Sequence, residues 1–406
     1  MPSYFAVSEP IIERWNFSWY EDLYAKDAET PSVVNVAAKA YRKLFLKTPG
    51  TYTVLLNYNS GKQTKATWTV RDIPQKRRAK NVLLFIGDGM TTNMITAARL
   101  IAHKSINGYY QSTMQLDQFP VLGHQMTHSI DSFITDSANS ATALYTGHKS
   151  TVNALGVYVD SSPNKFDDPK VETIAELVQR LLKATVGIVS TAFLADATPA
   201  ALTAHTRDRS QYPAVIDSLL NGITNYTWTN WTGPDALFGG GANNFYNSSK
   251  GGVTVGDKDY YALFKSKGYN LAYNLTQLST LANDTKALGV FSVSTMSTWL
   301  DRNVYPDNLK NKKNDPTGSK VDALNQPGLL EMTTKAIDIV QSRSNGNGWF
   351  IMSEAASIDK QMHNLDYDRA LGELLELDDT VRASIAKLEA LGILNDTLII
   401  VTADHG

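Results

Sequence analysis

The 406-residue sequence contains no cysteine. That excludes disulfides and thiolate metal sites, so any bound metal must take His, carboxylate or hydroxyl ligands. It does not fix a compartment, because a core of this size holds without disulfides. Charge of one sign is also lacking: 38 Lys+Arg stand against 40 Asp+Glu, a formal net charge of -2. A nucleic-acid binder would show a basic excess, so no nucleic-acid partner is expected. No apolar run approaches the ~20 residues that span a membrane, and no membrane span is expected. The opening Met1-Pro2-Ser3-Tyr4-Phe5 has neither a basic region nor an apolar one, and does not read as a signal peptide. Histidine is scarce, with seven in all, so each is worth locating.

Hydrophobic residues make up 43% and charged residues 19%, enough apolar content for a core, which excludes global disorder. The length suggests one large α/β domain with a small addition. Residues 1–75 read as a partial, β-rich N-terminal region. There Thr51–Tyr58 and Lys65–Val70 alternate around the turn residues Asn59-Ser60-Gly61-Lys62, which predicts a hairpin. This region resembles the last strands of an incomplete immunoglobulin-like sandwich. Residues 73–80 read as a basic, solvated linker.

From residue 81 the pattern changes. Asn81–Ile86, Val186–Thr191, Gly348–Met352 and Thr397–Thr402 are continuous apolar runs. Such runs suit strands buried on both faces of a mostly parallel sheet, with helices at 171–183 and 376–391 between them. The polar residues 221–320 are expected to be loops and excursions from that sheet.

Each of the four runs leads into metal- or phosphate-binding residue types: Asp88; Asp196 and Thr198; Glu354; Asp404 and His405. In open α/β sheets ligands collect beyond the carboxyl ends of strands. One strand-end Asp is commonly a turn former or a helix cap; four convergent ends are a different matter. Asp359 and His363 are four apart, on one face if helical, and suit one metal or a plain surface contact. Thr135–Ala143 reads as the opening of a helix, so Ser137 would meet free backbone N–H groups and the positive dipole end, which favour a phosphate. Arg207 and Arg209 could each clamp phosphoryl oxygens, and spacing does not separate them. His205 reads as a core or supporting histidine.

Together, Phe85-Ile86-Gly87-Asp88-Gly89-Met90, the Thr-Asp-Ser-Ala-x-Ser-Ala-Thr-Ala stretch at 135–143, Asp196–Ala201, Glu354–His363 and Thr402–Gly406 resemble an alkaline phosphatase. The resemblance covers about residues 80–406, within a catalytic domain expected over 76–406. It implies hydrolysis of small-molecule phosphate monoesters at alkaline pH, with two Zn2+ and one Mg2+. By the same resemblance Ser137 would be the nucleophile that becomes phosphoserine. Asp88 would bridge a zinc and the magnesium, with Asp404 and His405 completing the zinc that activates Ser137. Asp359 and His363 would hold the other zinc. Thr198 and Glu354 would take the magnesium, and Asp196 its waters. Arg209 matches the phosphate clamp, Asp136 would orient it, and Lys360 would reach phosphate through water. The Asp196/Lys360 pair follows a bacterial pattern, while the whole is closest to fungal members. A homodimer, an extracytoplasmic setting and glycosylation at some of seven Asn-x-Ser/Thr sites are also implied. A phosphodiesterase or sulfatase of the same superfamily is disfavoured by Thr198, Glu354 and Arg209. The resemblance further implies a third His on the Asp359/His363 zinc, well beyond the Asp-His-Gly stretch. None follows, so the expectation is a catalytic domain truncated at its C-terminus and impaired in turnover or stability, a non-catalytic fragment being the alternative.

Overall fold

The computed structural model describes residues 2–19, 32–41, 44–70, 78–160, 162–223, 226 and 230–406. Most of the expected linker (residues 73–77) and the glycosylation sequon at Asn225 lie outside them. The chain divides into two compact units, Met1–Arg78 and Ala79–Gly406.

In the first unit β1 (Glu13–Trp19) pairs antiparallel with β2 (Ser32–Ala38). β3 (Gly50–Tyr58) pairs antiparallel with β4 (Lys62–Val70), with Tyr58 opposite Lys62. Asn59, Ser60 and Gly61 between them all have positive φ. That is the backbone a tight hairpin turn demands, and Asn and Gly adopt it most easily.

The second unit is built on a parallel sheet. Its strands are β5 (Asn81–Gly87), β8 (Thr185–Phe193), β9 (Ala236–Gly240), β10 (Asn270–Ala272), β11 (Ala287–Val290), β12 (Trp349–Ala355) and β13 (Thr397–Ala403). A small ladder, β6 (Ser105–Ile106) with β7 (Tyr109–Tyr110), lies outside it. The order across the sheet is β10-β11-β9-β8-β12-β5-β13. Side chains alternate between two buried clusters. Leu84, Ile86, Val186, Ile188, Phe350 and Met352 enter one face. Leu83, Phe85, Val189, Trp349 and Ile351 enter the other. Helices cover both faces of β5, β8 and β12, which is why they read as unbroken apolar runs; β13, expected to be buried on both faces, lies at the sheet edge, turns Ile399 and Val401 to the second cluster and leaves Leu398 and Ile400 exposed. Ser137–Thr146, Ile174–Leu182 and Tyr212–Asn221 supply residues to the first cluster. Thr92–Ala102, Leu329–Arg343 and Tyr367–Ala390 supply residues to the second.

Another expectation is corrected. Residues 221–320 are not merely loops: β9, β10 and β11 lie there and form one side of the sheet. Their apolar signal is short and diluted by glycine. A Cβ on Gly239 would come within 2.9 Å of Ser190 O, and one on Gly240 within 2.1 Å of Ser294 O. Close backbone packing demands the residue that hides the strand. The helix expected at 376–391 begins earlier, within Tyr367–Ala390.

Candidate active site

The site forms where β12, β5 and β13 end side by side. Register sets it. Gly87 pairs with both Ala355 and Ala403. Asp88 and Asp404 therefore leave adjacent strands at the same level, and Glu354 lies one residue inside the end of β12. All three carboxylates are buried. Gly89 N donates to Asp404 Oδ1 (3.1 Å), and so does His405 N (2.8 Å). Asp88, Asp404 and His405 each offer one ligand atom, all within 4.8 Å of one another.

Ser137 opens the helix Ser137–Thr146, which Asp136 caps: Asp136 Oδ1 accepts from Asn139 N (3.1 Å). The Ser137 hydroxyl donates to Asp88 Oδ1 (3.4 Å) and lies 3.2 Å from His405 Nε2. The helix start and a buried carboxylate thus meet at one oxygen. Arg209 lies on the cap side. Its Nη1 donates to Asp136 Oδ2 (3.0 Å) and its Nη2 to Asp196 Oδ1 (2.9 Å). The Lys360 ammonium pairs with the other oxygen of Asp196. Burial pushes the Asp196 carboxyl up, but Lys360 and Arg209 outweigh it and hold it below the usual value.

Arg207 goes elsewhere. Its Nε donates to Asp168 Oδ2 (2.7 Å) and its Nη2 to Asp160 Oδ1 (2.9 Å). The structure therefore separates two arginines that spacing left equal. His205 is a core histidine: its ring lies between Gly156 O (2.8 Å) and Glu176 Oε1 (3.1 Å).

Asp359 and His363 share the helix Ser357–His363, with His363 Nε2 3.2 Å from Asp359 Oδ2. Asp359 reaches the Asp88 corner through Gly89, whose φ is +64° and whose added Cβ would meet Asp359 Oδ1 at 2.9 Å. His363 is largely exposed. Thr198, in the short helix Ala197–Ala200, is buried, and its hydroxyl has no hydrogen bond of ordinary geometry. It still lies close enough to Glu354 to help hold that carboxyl down.

The carboxylates are short of positive charge. Asp88 is pushed well above the usual range by burial, then by Asp404, Glu354 and Asp359. Burial pushes Glu354 up to about 8, with the Ser190 hydroxyl pulling against it. Buried acids that repel one another, beside an unpartnered hydroxyl, suit divalent cations held by oxygen and imidazole. Asp88, Asp404 and His405 suit one; Thr198 and Glu354 suit another; Asp359 and His363 lie to one side.

Sequence reasoning missed two hydroxyls. Ser140 Oγ donates to Asp404 Oδ2 (3.2 Å), and Ser190 Oγ donates to Glu354 Oε2 (2.5 Å). Ser140, one helical turn after Ser137, was open to the i,i+3 argument. Ser190, inside an apolar run, carried no signal.

The alkaline phosphatase family profile matches residues 79–406, and a PhoA-like N-terminal domain profile matches residues 1–71. Alkaline phosphatase H of Pseudomonas aeruginosa is 37% identical over 360 residues, covering 84% of this chain and 72% of that protein. Among solved structures, Thermus thermophilus alkaline phosphatase aligns with a TM-score of 0.65 at 24% identity, over 81% of this chain and 60% of that one. A variant of TAB5 alkaline phosphatase, solved with Mg bound in its M3 site, aligns with a TM-score of 0.59 at 25% identity, over 82% and 79% of the two chains. With a match across the entire second unit and more than a third of residues shared with a bacterial relative, the chain belongs to the alkaline phosphatase family.

Proposed function

We propose that this chain hydrolyses phosphate monoesters by passing the phosphoryl group first to Ser137 Oγ and then to water, with two Zn2+ and one Mg2+ as cofactors and fastest turnover at alkaline pH. One observation carries the reading. The Ser137 hydroxyl stands at a helix start, within reach of Asp88 Oδ1 and His405 Nε2, with Arg209 fixed beside it.

Asp88, Asp404 and His405 would hold one zinc, Asp359 and His363 the other, and Thr198, Glu354 and Asp196 would serve the magnesium. Such cations lower the pKa of a nearby hydroxyl and offset charge on a transferring phosphoryl group. The residues of the chain do the rest. Ser137 Oγ bonds to phosphorus as the ester P–O bond breaks and the alcohol leaves. Arg209, fixed by Asp136 and Asp196, offers its guanidinium N–H groups to the equatorial oxygens, and the free N–H groups of the first helical turn add to it. Water then attacks the phosphoserine, the bond to Oγ breaks, and inorganic phosphate departs. Two in-line displacements give net retention at phosphorus. Without cations Asp88 and Glu354 hold protons more tightly than ordinary carboxylates, so cations must displace those protons to bind, and higher pH favours the loaded site.

The test is p-nitrophenyl phosphate hydrolysis at alkaline pH with Zn2+ and Mg2+ added, beside Ser137→Ala. The variant is expected to lose at least ~10^3-fold in kcat. Acid quenching in the presence of substrate should leave phosphate on the wild-type peptide that contains Ser137. Sustained turnover by Ser137→Ala would refute the proposal.

A further inference from the structure

Tyr145 lies two turns along the helix that Ser137 opens. It shares a helical face with Ala138 and Ala141, both fully buried, and packs in the cluster that holds Ile86 and Met352. Only 2% of it is exposed. Its hydroxyl has no hydrogen-bond partner among the described residues. A buried tyrosine hydroxyl ordinarily finds one, and leaving it unmade is costly. If packing were its only purpose, phenylalanine would serve better.

The sheet shows which face the ring packs on: Phe350 and Met352 enter the cluster that holds Tyr145, so Glu354, the next alternate residue of β12, turns to the same face. The carboxylates whose charge reaches it are, in order, Glu354, Asp404 and Asp88, the ends of β12, β13 and β5. A phenol keeps its proton near neutral pH, so it can only donate that proton or offer a lone pair. Thr198 Oγ1 likewise has no hydrogen bond of ordinary geometry, though it is close enough to Glu354 to lower the pKa of that carboxyl. Two hydroxyls without a hydrogen bond of ordinary geometry, one on the Ser137 helix and one on the short helix Ala197–Ala200, thus lie on the Glu354 side of the sheet. Ser190 occupies only Oε2 of the Glu354 carboxylate.

We infer that Tyr145 is a positioning residue for the cation site of Glu354 and Thr198, its hydroxyl reserved for a carboxylate oxygen or a water that settles when the cation binds. The inference rests on the cofactor reading above. It adds a tie between the nucleophile helix and the magnesium site: the helix that presents Ser137 at one end would feel the filling of that site near its other end. Removing a partner that orients metal ligands ordinarily costs about 10- to 100-fold in metal affinity.

The experiment is Mg2+ binding by calorimetry to the full chain and to Tyr145→Phe, each stripped of metal, with thermal melts of both before and after Mg2+ addition. Tyr145→Phe deletes one oxygen and keeps the packing. The expected result is a metal-free variant that melts no lower than the wild type, together with a Mg2+ dissociation constant raised at least ~10-fold. An unchanged dissociation constant overturns the inference and leaves the cofactor reading standing. A lower melting point of the metal-free variant with unaltered Mg2+ affinity also overturns it, because that is what a packing role gives. A wild-type chain that takes up no Mg2+ overturns both readings.

Discussion

Replacing Asp136 by asparagine separates two tasks that its carboxylate performs at once. Oδ1 accepts from Asn139 N and from Asn153 N, each at 3.1 Å, which caps the Ser137 helix and ties the following loop to it. Oδ2 accepts from Arg209 Nη1 at 3.0 Å. In Asp136→Asn the remaining carbonyl oxygen can still accept both backbone N–H groups. The amide NH2 that replaces Oδ2 is a donor and cannot accept from a guanidinium. The cap stays and the Arg209 contact goes. A hydrogen bond to a charged group contributes about 1.5–3 kcal/mol. Both partners are roughly a fifth to a quarter exposed (26% and 18%), and Arg209 keeps Asp196, so about 1 kcal/mol is the expected loss in urea unfolding. Asp136→Ala also loses the cap, about 1 kcal/mol more, and leaves two N–H groups unanswered. It should cost about 2–3 kcal/mol. Activity should divide differently. Arg209 held on one side only should lower kcat/KM for p-nitrophenyl phosphate about 10-fold in both variants, and inorganic phosphate should inhibit both less. Equal stability losses in the two variants, or an Asp136→Asn enzyme with wild-type kcat/KM and phosphate inhibition, would refute this division of labour.

Arg207→Ala should behave in the opposite sense to an Arg209 variant. It strands the fully buried Asp168, so about 3 kcal/mol of stability should go, while KM and phosphate inhibition stay near wild type; a kinetic defect without loss of stability would reverse the roles of the two arginines. Glu373 offers a pH test far from the chemistry. Burial, then the charge of Glu376, push its carboxyl from 4.5 up to about 8, against the pull of Arg302. Between those values the folded chain holds a proton that the unfolded chain has released. Stability from this group is therefore complete below about pH 4.5 and is lost as pH rises toward 8, at up to ~1.4 kcal/mol per pH unit. Glu373→Gln keeps an acceptor for Trp299 N and should flatten the fall in urea midpoint between pH 6 and pH 8; an unchanged slope would sink the assignment.

The parts of the fold legible in the sequence were chiefly those whose burial is two-sided. The runs that became β5, β8 and β12 have apolar neighbours on both faces, so nothing interrupts their pattern; the run that became β13 is as apolar, although it lies at the sheet edge with Leu398 and Ile400 exposed. β10 and β11 lie toward the sheet edge and are three and four residues long, too short for periodicity to register. β9 carries two glycines that backbone proximity requires. Among site residues the legible ones were charged groups at strand ends, because position along the chain already places them on one rim. Ser190 and Tyr145 were not legible, since a hydroxyl within an apolar stretch announces nothing until its neighbours are known, whereas Ser140, one helical turn after Ser137, was within reach of spacing alone. Arg207 and Arg209 show the same limit from another side. Two residues apart in one loop, they have the same chemistry, and only the carboxylates each one meets tell them apart.

Register explains why this rim can be charged at all. Gly87 lies level with Ala355 on one side and Ala403 on the other. Neighbouring strands are ~4.8 Å apart, so the next residues, Asp88 and Asp404, emerge at a spacing where two ionised carboxylates repel, and either a retained proton or a nearby cation relieves them. A one-residue slip of β13 against β5 would turn Asp404 to the opposite face of the sheet and carry His405 away from Ser137. The apolar side chains of β13 would reverse with it: Ile399 and Val401, now packed against the second cluster, would exchange places with Leu398 and Ile400. Packing therefore fixes the register, and the register gathers the charges. On this reasoning, substitutions that disturb the alternation of β13 should weaken cation binding before they unfold the sheet. Ile399→Ala, which thins the inward face without touching a ligand, should loosen Mg2+ and Zn2+ retention while far-ultraviolet circular dichroism stays native; tight retention alongside a lowered melting temperature would show that the site does not depend on this strand's packing.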